Sequence, residues 1–418
     1  MEIKKEIENM ARSAKLAARA MANLSPSLKN KALLSMAKAI EERAEDIKSQ
    51  NRIDLKEAKE AGLSPALIDR LTLNDKRIKN MAKGLGEIAE LPDPVGEVIE
   101  QKLRPNGLRI EKVRVPLGVI AIIYESRPNV TGDAAGLCLK AGNAVILRGG
   151  SEAINSNMII AKVLQEAAYS SGIPQGAIQL VETTEREAVF QLIKMDEFID
   201  VVIPRGSEEM IKNIKTNATV PVIGHGKGLC HIYVDKNADP GMAERICFNA
   251  KVQRPGVCNA METLLVHKDI AGEFLPGMIK KFEEAKVEIR GDEKSKSILP
   301  HINSASEEDW STEYLDLILS VKVVDSLSEA IDHINRYGSM HSEAIVTRDK
   351  DAAQRFLKEV DASSVFWNAS TRFTDGREFG MGAEIGISNQ KLHARGPMGV
   401  KELTSTKFII FGDGQIRG

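Results

Sequence analysis

"NAVILRGGSEAINSNMIIAKVLQEAAYSSGIPQGAIQLVE", Asn143 to Glu182, changes its apolar period twice. Val145-Ile146-Leu147 is a continuous apolar run stopped by Arg148-Gly149-Gly150, as a strand buried on both faces requires. Residues 151–172 then place apolar side chains three and four apart, the spacing of one helix face, and close on Ser171-Gly172. Ala177 to Glu182 returns to a short apolar run. A strand, a helix-length crossover and a second strand leave the two strands parallel, and the crossover is right-handed.

The same unit recurs on both sides. Upstream, "VPLGVIAIIYES" ends in another buried run; downstream come the helix "REAVFQLIKM", the strand "IDVVIPRGS" and the helix "EEMIKNIKTN". A second series follows with "HIYVD", "METLLVH", "LDLILSVKVVDS" and the helix "LSEAIDHINRYG". The fold class is therefore α/β with parallel sheets. Residues 1 to about 91 read as helical, with "SPSLKNKALLSMAKAIEERAEDIKSQN" as an amphipathic helix started by Ser-Pro. "LPDPVGEV" breaks that pattern. "LRIEKVRV" and "TKFIIFG" are exposed-type strands, prone to aggregate unless paired, so they are expected to form a ribbon together. At 418 residues the chain should contain two or three domains.

Composition narrows the function. Hydrophobic content of 43% with 28% charged residues is ordinary for a soluble globular protein. A net charge of -2 and 4% aromatic residues offer neither the attraction nor the stacking platforms that nucleic acid needs. No apolar run approaches the ~20 residues that cross a bilayer. The start carries acidic residues and continues into a helix pattern, unlike a secretory or transit segment. Four widely spaced cysteines fit neither a disulfide framework nor a zinc site, so a cytoplasmic protein with reduced thiols is expected.

Two nucleotide motifs are missing. Gly224-His225-Gly226-Lys227-Gly228 begins like a dinucleotide turn, but Leu229 stands where the third glycine belongs. The same stretch fails as a P-loop, with Pro221 in the first glycine position. The seven histidines are scattered, and no metal site is expected. A nucleotide must then use other strand-to-helix turns: Arg148-Gly149-Gly150-Ser151 and Arg205-Gly206-Ser207, where helix N-termini favour phosphate.

Cys138, Cys230 and Cys247 sit among apolar neighbours, whereas Cys258 follows Arg254-Pro255-Gly256 and precedes Asn259 in a segment built to bend. A small packed side chain is the plain reading of any single cysteine. The loop setting favours a nucleophile, and Lys251 and Arg254 nearby would stabilise its thiolate or a leaving phosphate, unless they are merely solvated charges.

"FNAKVQRPGVCNA", Phe248 to Ala260, resembles the nucleophile segment of the aldehyde dehydrogenase superfamily. "VPLGVIAII", "AGNAVILRGGSEA", "IPRGSEEMI" and "EYLDLILSVKVVDSLSEAIDHINRYG" are similar to its other landmarks in the same order. "YESRPNV" and "EIGISNQKLHARGPMGVKELTSTK" resemble the branch that reduces L-glutamyl 5-phosphate to L-glutamate 5-semialdehyde in proline biosynthesis. The resemblance implies NADPH as cofactor, though the residues themselves leave NADP and NAD open. It implies Arg148, Gly149, Ser151, Gly206, Ser207 and Glu313 on the cofactor, with Glu313 on the nicotinamide ribose. Cys258 would be the nucleophile, its backbone N–H and Asn129 the oxyanion donors. Glu125, Arg127 and Arg395 would hold the substrate's charged ends, arginine being suited to its carboxylate.

One departure from the superfamily bears on mechanism. The glutamate that activates hydrolytic water in typical members has no counterpart here: Ile223 or Gly224 takes its place. Acyl-phosphate reduction needs no such base, and neither does a CoA-acylating enzyme; the latter, or a non-catalytic nucleotide-binding protein, is the alternative. The expected architecture is aldehyde dehydrogenase-like: a Rossmann-like NADP-binding domain (1–102 and 117–228), an α/β catalytic domain (229–388), and a β-ribbon with C-terminal tail (103–116 and 389–418) for homo-oligomerisation. Glutamate 5-kinase is the expected transient partner, because this chain carries no kinase domain and its substrate is an unstable acyl phosphate.

Overall fold

The computed structural model describes residues 2–224 and 226–417, so His225 of the glycine stretch lies outside it. The chain divides into two compact units. One takes Met1–Gly224, Gly380–Gly386 and Met398–Gly418; the other takes His225–Phe379 and Ile387–Pro397.

The first unit centres on a parallel sheet ordered Ile178–Leu180, Ala144–Gly149, Val119–Tyr124, Val201–Arg205. Every residue of Val119–Tyr124 is buried, which explains its unbroken apolar run. Burying each such side chain contributes roughly 1.5–3 kcal/mol. In chain order the strands run third, second, first, fourth. The order therefore reverses between Val119–Tyr124 and Val201–Arg205, and a crevice opens outside their carboxyl ends. Glu125 and Ser207 follow strand ends on that side, and Arg148 is the last residue but one of its strand.

The same unit holds an antiparallel sheet of Val98–Leu103, Arg109–Pro116 and Thr404–Phe411. The expected ribbon and tail strand pair along their whole length, Arg109 with Phe411 through Pro116 with Thr404. The additional strand Val98–Leu103 is exposed throughout. Where the sequence suggests one helix from Ser25 to Asn51, there are two, Pro26–Glu42 and Ala44–Glu60, broken at Arg43.

The second unit is built on a parallel sheet ordered Asn303–Ser304, Glu288–Gly291, Ile318–Val324, Met261–His267, Cys230–Val234, Ser342–Val346, Ser364–Trp367. Its central strands Met261–His267 and Cys230–Val234 are buried at every position. Helix Pro240–Val252 connects them, capped by Asp239 and started by Pro240. The division after Gly224 falls a few residues before the boundary expected at 228, and the expected tail is shared between both units.

Candidate active site

In the first unit the crevice at the reversal point is a cleft of about 450 Å³. Its lining includes Glu125, Arg148, Ser151, Arg186, Ser207 and Met210. Ser207 caps helix Glu208–Asn217 through its hydroxyl, while its own N–H donates to Glu125 Oε2 at 2.8 Å. Gly206 is needed beneath that contact: a Cβ there would stand 2.4 Å from Glu125 Oε2. Glu152 is likewise engaged, accepting from the Ser126 N–H at 2.6 Å and its hydroxyl at 2.7 Å. Ser126, at φ 47°, and Glu125 are thus pinned to opposite sides of one loop.

The charges of Glu152 and Glu125 act on Arg148 without pairing with it directly. Arg148 donates only to the carbonyls of Gly149 at 2.9 Å and Thr184 at 3.1 Å, and its Nε is buried without a partner. Burial lowers its pKa first of all; the charges of Glu152 and Glu125 oppose this, and Arg186 adds a smaller lowering. Arg186 is exposed and forms no ion pair among the described residues. Two guanidinium groups at one cleft, neither in a direct ion pair among the described residues, suit an anionic ligand. The orphaned Arg148 Nε and the close-fitting Gly206 turn fit a nucleotide phosphate. Nothing in the sequence singled out Arg186, which reads as an ordinary first-turn helix charge.

In the second unit Cys258 lies on the turn between helix Pro240–Val252 and strand Met261–His267, half-buried. Burial pushes the thiols of Cys138, Cys230 and Cys247 well above their ordinary range, which makes them inert. The turn is fastened from three sides. Cys230 Sγ donates to the Cys258 carbonyl at 3.1 Å, Asn259 Nδ2 donates to Thr374 O at 2.9 Å, and Thr371 Oγ1 donates to Asn259 O at 2.8 Å. No described residue accepts the Cys258 backbone N–H, leaving a donor beside the thiol. Gly228 passes so close that a Cβ would stand 2.0 Å from the Cys258 carbonyl oxygen. Its N–H donates to Glu313 Oε1 at 2.9 Å, so Glu313 is brought to the strip of chain against the cysteine.

Lys251 departs from expectation. It is fully buried, and its ammonium group donates to Glu262 Oε2 at 2.6 Å. Glu262 also accepts from the Leu315 N–H at 3.2 Å, which ties down the loop carrying Glu313. Burial pushes Glu262 up to about 7 and Lys251 down. Lys251 is therefore neither a solvated charge nor a group facing the thiol. Arg372, far away in sequence, comes into its place. Its guanidinium donates to Gln253 Oε1 at 3.0 Å, and the charges of Arg254 and Cys258 both act on it.

A family model of the aldehyde dehydrogenases matches residues 2–317. Over 412 residues the chain is 60% identical to a gamma-glutamyl phosphate reductase of Caldanaerobacter subterraneus subsp. tengcongensis, covering 99% of this chain and all of the relative. The chain belongs to the gamma-glutamyl phosphate reductases of the aldehyde dehydrogenase family. It is an oxidoreductase of that family. The crystal structure of gamma-glutamyl phosphate reductase from Thermotoga maritima agrees at a TM-score of 0.97 and 48% identity, over 99% of this chain and 100% of that one. An engineered glycolyl-CoA reductase solved with NADP+ shares the fold alone, at a TM-score of 0.69 and 14% identity over 96% of each chain.

The remaining sequence-selected residues fall as follows. Glu125 lies in the same cleft as Arg148 and Ser151 rather than apart from the cofactor candidates. Arg127 follows in the same loop, half-buried. Asn129 opens helix Asn129–Lys140, exposed, with its amide donating to Asp133 at 3.1 Å. Gly149 lies where a Cβ would meet Asn157 Nδ2 at 2.0 Å. Arg395 pairs with Asp361 at 2.7 Å and keeps a buried Nε without a partner.

Proposed function

We propose that the chain reduces L-glutamyl 5-phosphate to L-glutamate 5-semialdehyde and releases phosphate, with Cys258 as nucleophile and NADPH as cofactor, in the cytoplasm. The observation that carries this reading is a half-buried thiol beside an unclaimed backbone N–H, in a chain whose full-length relatives are gamma-glutamyl phosphate reductases. Cys258 Sγ bonds to the acyl carbon, the carbon–oxygen bond to phosphate breaks, and its electron pair leaves with phosphate. The Cys258 N–H, with the Asn129 amide as second donor, holds the oxyanion of each tetrahedral species. Bound NADPH would supply the hydride that takes the thioester to the aldehyde. Arg148, Gly149, Ser151, Gly206, Ser207 and Glu313 would hold it, and the Arg148–Arg186 pair supports a 2′-phosphorylated nucleotide. Collapse of the thiohemiacetal then returns the thiol.

Arg127 and Arg395 are the forks offered to the substrate's α-carboxylate, and Glu125 the countercharge to its amine. The exposed Leu103, Phe408, Ile410 and Phe411 of the three-stranded sheet support assembly into a homo-oligomer. Delivery of an unstable acyl phosphate favours transient contact with glutamate 5-kinase. The test is the reverse reaction, glutamate semialdehyde with NADP, run with and without inorganic phosphate. Turnover should require phosphate; steady formation of free glutamate without it would overturn the proposal. Dependence on CoA instead of phosphate would favour the acylating alternative.

A further inference from the structure

We propose that Arg372 and Arg254 form the binding site for the phosphate group of the acyl phosphate, beside Cys258; this rests on the reading just given.

Arg372 sits in the short 3-10 helix Thr371–Phe373, which is fastened to the nucleophile turn. Thr371 Oγ1 donates to Asn259 O, and Asn259 Nδ2 donates to the carbonyls of Arg372 at 3.4 Å and Thr374 at 2.9 Å. The residue adjoining Cys258 thereby fixes the backbone of Arg372. Its side chain is fixed by Gln253, the residue preceding Arg254. The guanidinium is half-buried, and burial lowers its pKa first, the charge of Arg254 next. Neither arginine forms an ion pair among the described residues. The charge of Asp375 also acts on Arg372, but without a direct ion pair; its carboxylate accepts from the N–H groups of Arg377 at 2.9 Å and Glu378 at 3.4 Å.

Like charges held together with no direct ion pair are stabilised when an anion joins them. Cys258 is near enough for its charge to act on Arg372, so the thiolate is one candidate anion. One thiolate, however, leaves most of two five-donor guanidinium groups unused. A phosphate dianion presents several acceptor oxygens to such forks. In the forward reaction the pair takes up the charge that grows on departing phosphate. In reverse, a phosphate oxygen attacks the thioester carbon, the carbon–sulfur bond breaks, and its electrons return to Cys258.

The test compares Arg372→Ala, Arg372→Lys and Arg254→Ala with wild type. The reverse reaction should show the KM for inorganic phosphate raised about tenfold to a hundredfold in Arg372→Ala. The KM values for semialdehyde and NADP should change little, with partial recovery in Arg372→Lys. Arg254→Ala, an exposed change that keeps the fold, should show a smaller rise in the same constant. Independently of turnover, inorganic phosphate should slow alkylation of Cys258 in wild type and lose that protection in Arg372→Ala. An unchanged phosphate KM with unchanged protection would overturn the assignment, as would slower alkylation without phosphate as the sole effect, which marks a thiolate stabiliser. Wild-type turnover independent of phosphate would instead sink the underlying functional reading.

Discussion

Lys251 and Arg254 stand about one helical turn apart at the same end of helix Pro240–Val252, and they meet opposite fates. Lys251 points into the core, where Glu262 neutralises it and the pair braces the loop bearing Glu313. Arg254 is exposed, and its charge acts on a second cation, Arg372, with no direct ion pair to either among the described residues. Proximity to the nucleophile in sequence thus says little about a charge's role. A buried cation with its own carboxylate holds structure; cations left without one await an anion.

The first way to break this comparison is at the thiol that follows both charges in the sequence. Cys258→Ser should lower turnover by at least ~10³-fold, as loss of a covalent nucleophile does. Cys230→Ser, which exchanges a buried thiol for a hydroxyl beneath the Cys258 carbonyl, should keep the enzyme active and chiefly change its melting temperature. Equal loss in both would place the nucleophile wrongly.

The second acts on the buried side. Lys251→Met strands Glu262 in the core and should cost roughly 3–5 kcal/mol in urea unfolding. Lys251→Met combined with Glu262→Leu should recover much of that, because paired removal leaves no orphaned charge. A double variant as unstable as the single one would show that the pair is not a self-contained brace.

The cleft of Arg148 and Arg186, proposed to hold the cofactor, offers a second pair of cations and hence a parallel test. Arg186→Ala should weaken 2′,5′-ADP binding by calorimetry about tenfold, with ADP binding unaltered. Equal weakening of both ligands would mean that Arg186 does not read the 2′-phosphate.

The smallest effect is a pH slope. Burial raises Glu262 to about 7 in the folded state, so the folded chain holds this proton more tightly than the unfolded chain. The resulting stability is full below the unfolded value, near ~4.3, and is lost as pH rises through about 7. The Lys251 shift acts in the opposite sense, raising stability with pH in a window below its ordinary value of 10.5. Glu262→Gln should therefore flatten the fall in melting temperature between about pH 5 and 7. A slope equal to wild type would contradict the raised acid.

What sequence reading captured and missed follows from the range of the interactions. Buried parallel strands such as Val119–Tyr124 need apolar runs on both faces, so the βα alternation is written locally. Cys258 is equally local: its neighbours Pro255 and Gly256 bend the chain, and the other thiols lie in apolar runs. The break at Arg43 carries no proline or glycine and therefore no local signal. Val98–Leu103 alternates weakly and exposes all its side chains, so only its pairing with Arg109–Pro116 identifies it. Arg372 is invisible for a stronger reason. Its role depends on hydrogen bonds to Asn259 and Gln253, which only the folded sheet brings within reach.

The central claim is that the acyl group passes through Cys258. Mixing enzyme with glutamate semialdehyde and NADP in the absence of phosphate tests it most directly, by rapid-mixing absorbance and peptide mass spectrometry together. The account predicts a single burst of NADPH matching the number of active subunits, a glutamyl adduct on the Cys258 peptide alone, and steady turnover only once phosphate is added. Continuous NADPH formation without phosphate, or an adduct on any other cysteine, would contradict it.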